Sequence, residues 1–203
     1  MKKVLCLVLG FTSVAVFADA NSTLDGFLAQ AKTMKADFSQ TVISGKKSRT
    51  TTGTMEIARP NKFRWEYTQD QQLIVSDAQK IYIYDQPLQQ VTVKALGKSI
   101  DKSPAAVLAG ANNIRSLYKV SELPTQGDSL NWIQIEPKAA NDNNGFQIVM
   151  MGFNSQNQLK SMKFTDNFGN KTNLKFSNLQ TGIKIPDSDF QFKIPAGVDV
   201  AGQ

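Results

Sequence analysis

Residues Arg59–Tyr67 read RPNKFRWEY. Pro60 and Asn61 form a turn signal. Beyond it, Phe63, Trp65 and Tyr67 alternate with Lys62, Arg64 and Glu66. A period of two marks a β-strand with one apolar and one polar face. Here the apolar face is entirely aromatic, so it must meet a large apolar surface. Arg59 stands just before the turn, beside the start of that face.

The same period recurs on both sides of this stretch. Upstream it predicts strands at Ala36–Thr41 and around Met55 and Ile57. Downstream it predicts Leu73–Val75, Ile81–Tyr84, Val91–Ala95, Leu117–Leu123, Trp132–Glu136, Phe146–Phe153, Leu159–Phe164 and Lys171–Leu179. The intervening segments are rich in Asn, Asp, Gly and Gln and read as hairpin connections. No run shows the strand–helix alternation of a parallel sheet. The expectation is about eleven strands in one antiparallel, meandering, strongly curved sheet.

Two helical stretches interrupt the strands. Asn21 or Ser22 is a candidate cap with Asp25 closing a capping box. Leu24, Phe27, Leu28, Ala31 and Met34 then follow at helical spacing. Midway, Ser103 caps, Pro104 takes the first helical position, Ala105–Ala109 follow and Gly110 stops the run. Asn113–Leu117 reads as a further short helical piece. An amphipathic helix must bury its stripe, and the apolar face of the curved sheet is the natural site. A sheet held partly open by such helices keeps a cavity between the layers.

The N-terminus carries Lys2 and Lys3, the apolar run Val4–Val16, and small residues at Ala18 and Ala20. This is the pattern of a secretory signal peptide, cleaved after Ala18 or Ala20. The run is too short to span a bilayer comfortably. Residues 21–203 suit one domain, expected to be soluble. Cys6 goes with the leader, leaving no cysteine and no disulfide. The formal charge of +6 falls to +5 when Lys2, Lys3 and Asp19 are removed. Secretion and the scattered lysines argue against nucleic acid as a partner.

Catalytic chemistry is poorly provided for. Histidine is absent, and with it the commonest general base and metal ligand. No GxSxG occurs. Gly97, Lys98 and Ser99 end like a phosphate loop, but Thr92 replaces its first glycine. Asn141–Gly145 and Asp187–Asp189 lack the spacing of a calcium loop. No metal, no cofactor and no enzymatic activity are expected. Most alternating strands simply face a core, so periodicity alone reads Phe63, Trp65 and Tyr67 as core and Arg59 as a solvated cation.

Taken together, these stretches resemble the LolA family of periplasmic outer-membrane lipoprotein carriers. The matching residues are Gly53, Arg59, Pro60, Asn61, Phe63, Trp65, Val75, Ser76, Asp77, Tyr82 and Tyr84. Phe38–Ser39–Gln40, Ser103–Pro104, Pro137–Lys138–Ala139 and the ending Phe190, Phe192, Pro195, Gly197 and Val198 agree as well. The resemblance implies an incomplete, unclosed antiparallel β-barrel, lidded by short helices over a hydrophobic cavity. It implies a monomeric periplasmic chaperone that uses no cofactor and does not insert stably in a membrane. Such a carrier takes triacylated lipoproteins from an inner-membrane ABC transporter and hands them to an outer-membrane receptor. The implied acyl-chain site comprises Leu24, Leu28, Phe38, Phe63, Trp65, Tyr67, Val107 and Leu108. Arg59 is the implied lid latch, through hydrogen bonds to lid backbone, a role suited to its five donors.

Four other readings stand beside this one, the blandest being a purely structural β-protein with a dry, filled interior. The receptor shares the fold but needs a lipidatable cysteine after the leader, which is missing. A carrier of another lipid or hydrophobic small molecule fits the same residues. A secreted hydrolase would need a nucleophile motif that is not there.

Overall fold

A computed structural model describes residues 19–96, 108–110, 118–124, 126–138, 146–166 and 168–202. Residues 1–18, the Ser103–Pro104 helix start, Val107, Asn113–Leu117 and Asn141–Gly145 lie outside the described residues. One helix, α1 (Ala20–Gln30), opens the described chain. The first meander follows: β1 (Thr33–Ser44), β2 (Lys47–Ala58), β3 (Lys62–Tyr67), β4 (Gln72–Asp77), β5 (Lys80–Asp85) and β6 (Gln90–Ala95). The second comprises β7 (Tyr118–Leu123), β8 (Asn131–Pro137), β9 (Phe146–Phe153), β10 (Leu159–Asp166) and β11 (Lys171–Thr181). A 3-10 turn at Asp187–Phe190 precedes β12 (Asp199–Ala201).

All twelve strands form one sheet in the order β12-β6-β5-β4-β3-β2-β1-β11-β10-β9-β8-β7. The two meanders join where β1 pairs β11, and among the described residues β12 and β7 are the end strands of the sheet. It is therefore an unclosed antiparallel sheet. One more strand is present than the periodicity predicts. The extra one, β12, runs parallel to β6, with Val200 opposite Val91.

Curvature is written into β2. A Cβ at Gly53 would collide with the Glu66 carbonyl oxygen and the Phe38 ring. Only glycine lets β3 approach β2 this closely at the bend. A register slip between Lys35 and Asp37 bends β1 as well.

Two local expectations are corrected. Helix α1 starts at Ala20 with Asp19 as its N-cap, so Asn21 and Ser22 already lie inside it. The Ser22 hydroxyl turns back to donate to the Asp19 carbonyl at 2.7 Å. The helix also ends sooner than its apolar spacing suggests: Ala31 is its C-cap and Met34 belongs to β1. Both residues are wholly buried all the same. Strand pairing took over the stripe because Thr33–Ala36 pair with Met55–Ala58.

The main core lies on the inner face of the sheet, under α1. Leu24 and Phe27 point into it, and the Phe27 ring meets Phe153 edge-on at 5.5 Å. The outer face of β3–β6 has its own cover. After β11 the chain runs back across it as a strap, with the 3-10 turn against β3 and β4. Phe192 packs on Tyr82 and Tyr84, with ring centroids 5.5 and 5.8 Å away. Lys62 and Asp187 pair at 3.0 Å.

Candidate functional site: the inner aromatic face and its lid

β3 places Phe63, Trp65 and Tyr67 on the inner face, each nearly or wholly buried. Cross-strand register sets their neighbours: Met55 lies opposite Trp65, and Ile57 opposite Phe63. Phe38, from β1, fills the space between two of them. Its ring stands 4.7 Å from Trp65 and 5.2 Å from Tyr67. Such offset and edge-on contacts suit aromatic quadrupoles. Leu24 is wholly buried in the same core, while Leu28 packs against it from a partly exposed position. The structure thus brings together Leu24, Leu28, Phe38, Phe63, Trp65 and Tyr67.

Leu108 and Ala109 complete the cover. Both are helical, 1% exposed and part of the same core. The visible tie between this lid and the barrel comes from Asn61, whose backbone N–H donates to the Ala109 carbonyl at 2.7 Å. Residues 59–61 form the rim beneath it. Asn61 has φ of 68°, a left-handed conformation that asparagine adopts more readily than most residues. Periodicity does not point to Asn61, because the group that matters is its peptide. The signals available in the sequence are the Pro60–Asn61 turn pair and the place of Asn61 among the residues of the family resemblance.

Arg59 is fixed by its own backbone N–H, which donates to the Lys32 carbonyl at 2.8 Å. Its side chain is half-buried, and the Nε and Nη1 atoms are buried without a hydrogen-bond partner among the described residues. Burial alone brings its guanidinium down to about 10. Trp65 Nε1 is likewise buried and meets the Tyr67 hydroxyl only outside ordinary hydrogen-bond geometry. The Tyr67 hydroxyl donates to Gln40 Oε1 at 3.1 Å. Burial pushes the Tyr67 phenol up to about 12, with Gln40 and Trp65 pulling the other way.

The arrangement is an apolar interior, covered by Leu108 and Ala109, with a few buried donors that lack acceptors among the described residues. That suits binding of a long apolar group carrying acceptor atoms. A groove of about 410 Å³ also opens near Gly53. Phe38 and Phe176 line it together with Asp37, Ser39, Thr52, Thr54 and Lys175. Among the described residues, no cluster of three His, Cys, Asp or Glu is placed to hold a metal. No helix among them is long and apolar enough to cross a membrane.

Comparison with known proteins agrees with this geometry. The family model described as "Outer membrane lipoprotein carrier protein LolA" matches residues 29–193. An outer-membrane lipoprotein carrier protein of Chromobacterium violaceum is 46% identical over 184 residues, covering 90% of this chain and 87% of its own. One from Methylibium petroleiphilum is 41% identical over 202 residues, covering 98% and 95%. Among solved structures, an uncharacterized conserved protein from Thermus thermophilus superposes with a TM-score of 0.55. The match covers 91% of this chain and 99% of that one at 10% identity, which speaks to the fold alone.

Proposed function

The chain belongs to the LolA family of outer-membrane lipoprotein carriers, and from that membership we propose that it is a periplasmic chaperone for acylated lipoproteins. It accepts triacylated lipoproteins from an inner-membrane ABC transporter and passes them to an outer-membrane receptor. It works as a monomer, without a cofactor and without stable membrane insertion, as a carrier rather than an enzyme. The leader within residues 1–20 directs it to the periplasm. Cleavage after Ala18 keeps the whole of α1, whereas cleavage after Ala20 removes its N-cap and first residue.

The observation that carries this reading is the aromatic inner face of an unclosed sheet, covered by Leu108 and Ala109 and joined to them, among the described residues, by one peptide contact. Acyl chains in water cost roughly 0.8 kcal/mol per methylene, so transit needs an enclosed apolar surface. Delivery needs that surface to open again. Leu24, Leu28, Phe38, Phe63, Trp65, Tyr67, Val107 and Leu108 form the acyl-binding surface. Cargo enters by displacing the lid from the inner aromatics. Arg59, with buried donors at the rim, latches the lid and sets how readily cargo leaves.

Native mass spectrometry of the mature protein tests the proposal. It is incubated with membranes containing the releasing transporter, ATP and lipoproteins. A 1:1 complex that depends on lipoprotein acylation is the expected result. A retained small lipid with no lipoprotein would assign the chain to another lipid cargo. A clean apo mass throughout would overturn the carrier reading.

A further inference from the structure

The stretch Val75–Ser76–Asp77 divides three tasks among three side chains. Val75 is wholly buried apart from the inner core. Asp77 closes the turn to β5, accepting the backbone N–H groups of Gln79 at 2.8 Å and Lys80 at 2.7 Å. Ser76 is the anomaly. It lies opposite Phe63 and is 0% exposed, a polar side chain beside an aromatic face. A buried hydroxyl costs free energy unless it is hydrogen-bonded. Its partner therefore tells what it is for.

The Ser76 hydroxyl donates to the Asn61 carbonyl at 2.7 Å. It also receives the Ala78 N–H at 3.4 Å. Asn61 is the residue whose N–H holds the Ala109 carbonyl at 2.7 Å. Ser76, Asn61 and Ala109 thus form one chain of hydrogen bonds running from the sheet to the lid. The left-handed Asn61 backbone, at φ 68°, presents its N–H to the lid and its carbonyl to the sheet. That carbonyl belongs to the Asn61–Lys62 peptide, so the Ser76 hydroxyl restrains the Asn61 backbone and with it the direction of the N–H.

We propose that Ser76 is a positioning residue for the lid, its hydroxyl holding the Asn61 peptide so that the Asn61 N–H clasps the Ala109 carbonyl. The clasp uses no arginine donor and is independent of Arg59. A single main-chain hydrogen bond is a weak tie, of a strength that loading can exchange for buried acyl surface. Its role in loading rests on the carrier reading; its existence does not.

Amide hydrogen exchange of the mature, lipid-free protein, followed by NMR, tests this. The Asn61 N–H is itself the clasp, so its exchange reports opening. In Ser76→Ala it should exchange roughly tenfold faster, with amides across the β1–β11 pairing unchanged. An unchanged Asn61 rate in folded Ser76→Ala would overturn the proposal, as would an equal acceleration everywhere. If Ser76→Ala does not fold, Ser76→Cys keeps the volume with a weak donor, and the same two outcomes decide. A synthetic triacylated lipopeptide should also associate faster with the alanine variant than with wild type. A wild-type protein that binds no lipopeptide would overturn the carrier reading alone, leaving Asn61 exchange to decide the clasp.

Discussion

Trp65 and Trp132 are both almost wholly buried, at 1% and 3% exposure, but on opposite faces of one sheet. Trp132 is fully provided for. Its indole N–H donates to Asp128 Oδ1 at 2.8 Å, and Lys163 Nζ sits 4.2 Å from its ring centroid. That indole hydrogen bond is the main reason the Asp128 carboxyl is held below its usual range. Trp65 has neighbours of the right shape and no proper acceptor for its N–H. The covers of the two faces differ in the same way. On the outer face of β3–β6, the strap is continuous chain fastened by Lys62–Asp187, by the Thr33 hydroxyl on Ile183 and by β12. On the inner face, among the described residues, Leu108 and Ala109 are fastened by one peptide hydrogen bond, from the Asn61 N–H to the Ala109 carbonyl. Similar burial thus lies under two differently fastened covers, and on the proposed carrier function the inner one is the cover that must release.

The largest test of this contrast is a pair of truncations. Phe190 in the strap and Trp65 under the lid are each 1% exposed. Phe190→Ala and Trp65→Ala should each cost about 3–5 kcal/mol in urea denaturation. They should then part company. A bound triacylated lipopeptide should restore much of the stability of Trp65→Ala, because a guest acyl chain fills the cavity it leaves. Phe190→Ala should gain no more from the lipopeptide than wild type does. Equal recovery by both would erase the distinction between the faces.

Arg59 gives a smaller and opposite signature. Its Nε and Nη1 donors are buried without a partner among the described residues, so an apolar replacement removes a burial cost. Arg59→Leu should leave stability within about 1 kcal/mol of wild type or raise it. Transfer of bound lipoprotein to receptor-bearing membranes should nevertheless fall roughly tenfold, the worth of one charge-assisted hydrogen bond in the cycle. Normal transfer by this variant would remove Arg59 from the latch.

Much of the sheet was legible because the period of two survives wherever one face is buried. β3 and β9 run from Lys62 to Tyr67 and from Phe146 to Phe153, the bounds their alternation predicts. β2 begins at Lys47, far ahead of Met55, because Lys47–Thr50 are exposed and carry no hydrophobic alternation. Pairing with β1 alone makes them a strand. β12 has three residues and owes its place to the strap that delivers it, a long-range cause with no local signature. The aromatic site residues were visible as a face, but the lid contact was not. It belongs to the Asn61 N–H and the Ala109 carbonyl, groups that every residue except proline carries. Ser76 stands out in the sequence only as part of a matching stretch, because its partner is a backbone carbonyl on another strand's entry turn, with no local signature.

The smallest effect is optical, and it isolates the inner face. A lipopeptide with brominated acyl chains quenches tryptophan only by contact. Trp65 belongs to the inner core, whereas Trp132 is held outside it by Asp128 and Lys163. In Trp132→Phe, which leaves the exposed Asp128 without one partner, quenching should persist. In Trp65→Phe the remaining emission should stay unquenched at saturating probe. Phenylalanine keeps an aromatic ring against Phe38 and removes the unsatisfied N–H, so the variant should still bind. Quenching of Trp132 alone would move the acyl chains to the outer face and turn the comparison around. Quenching of neither, with binding demonstrated by mass, would leave the Trp65 surface as ordinary core and place the cargo elsewhere.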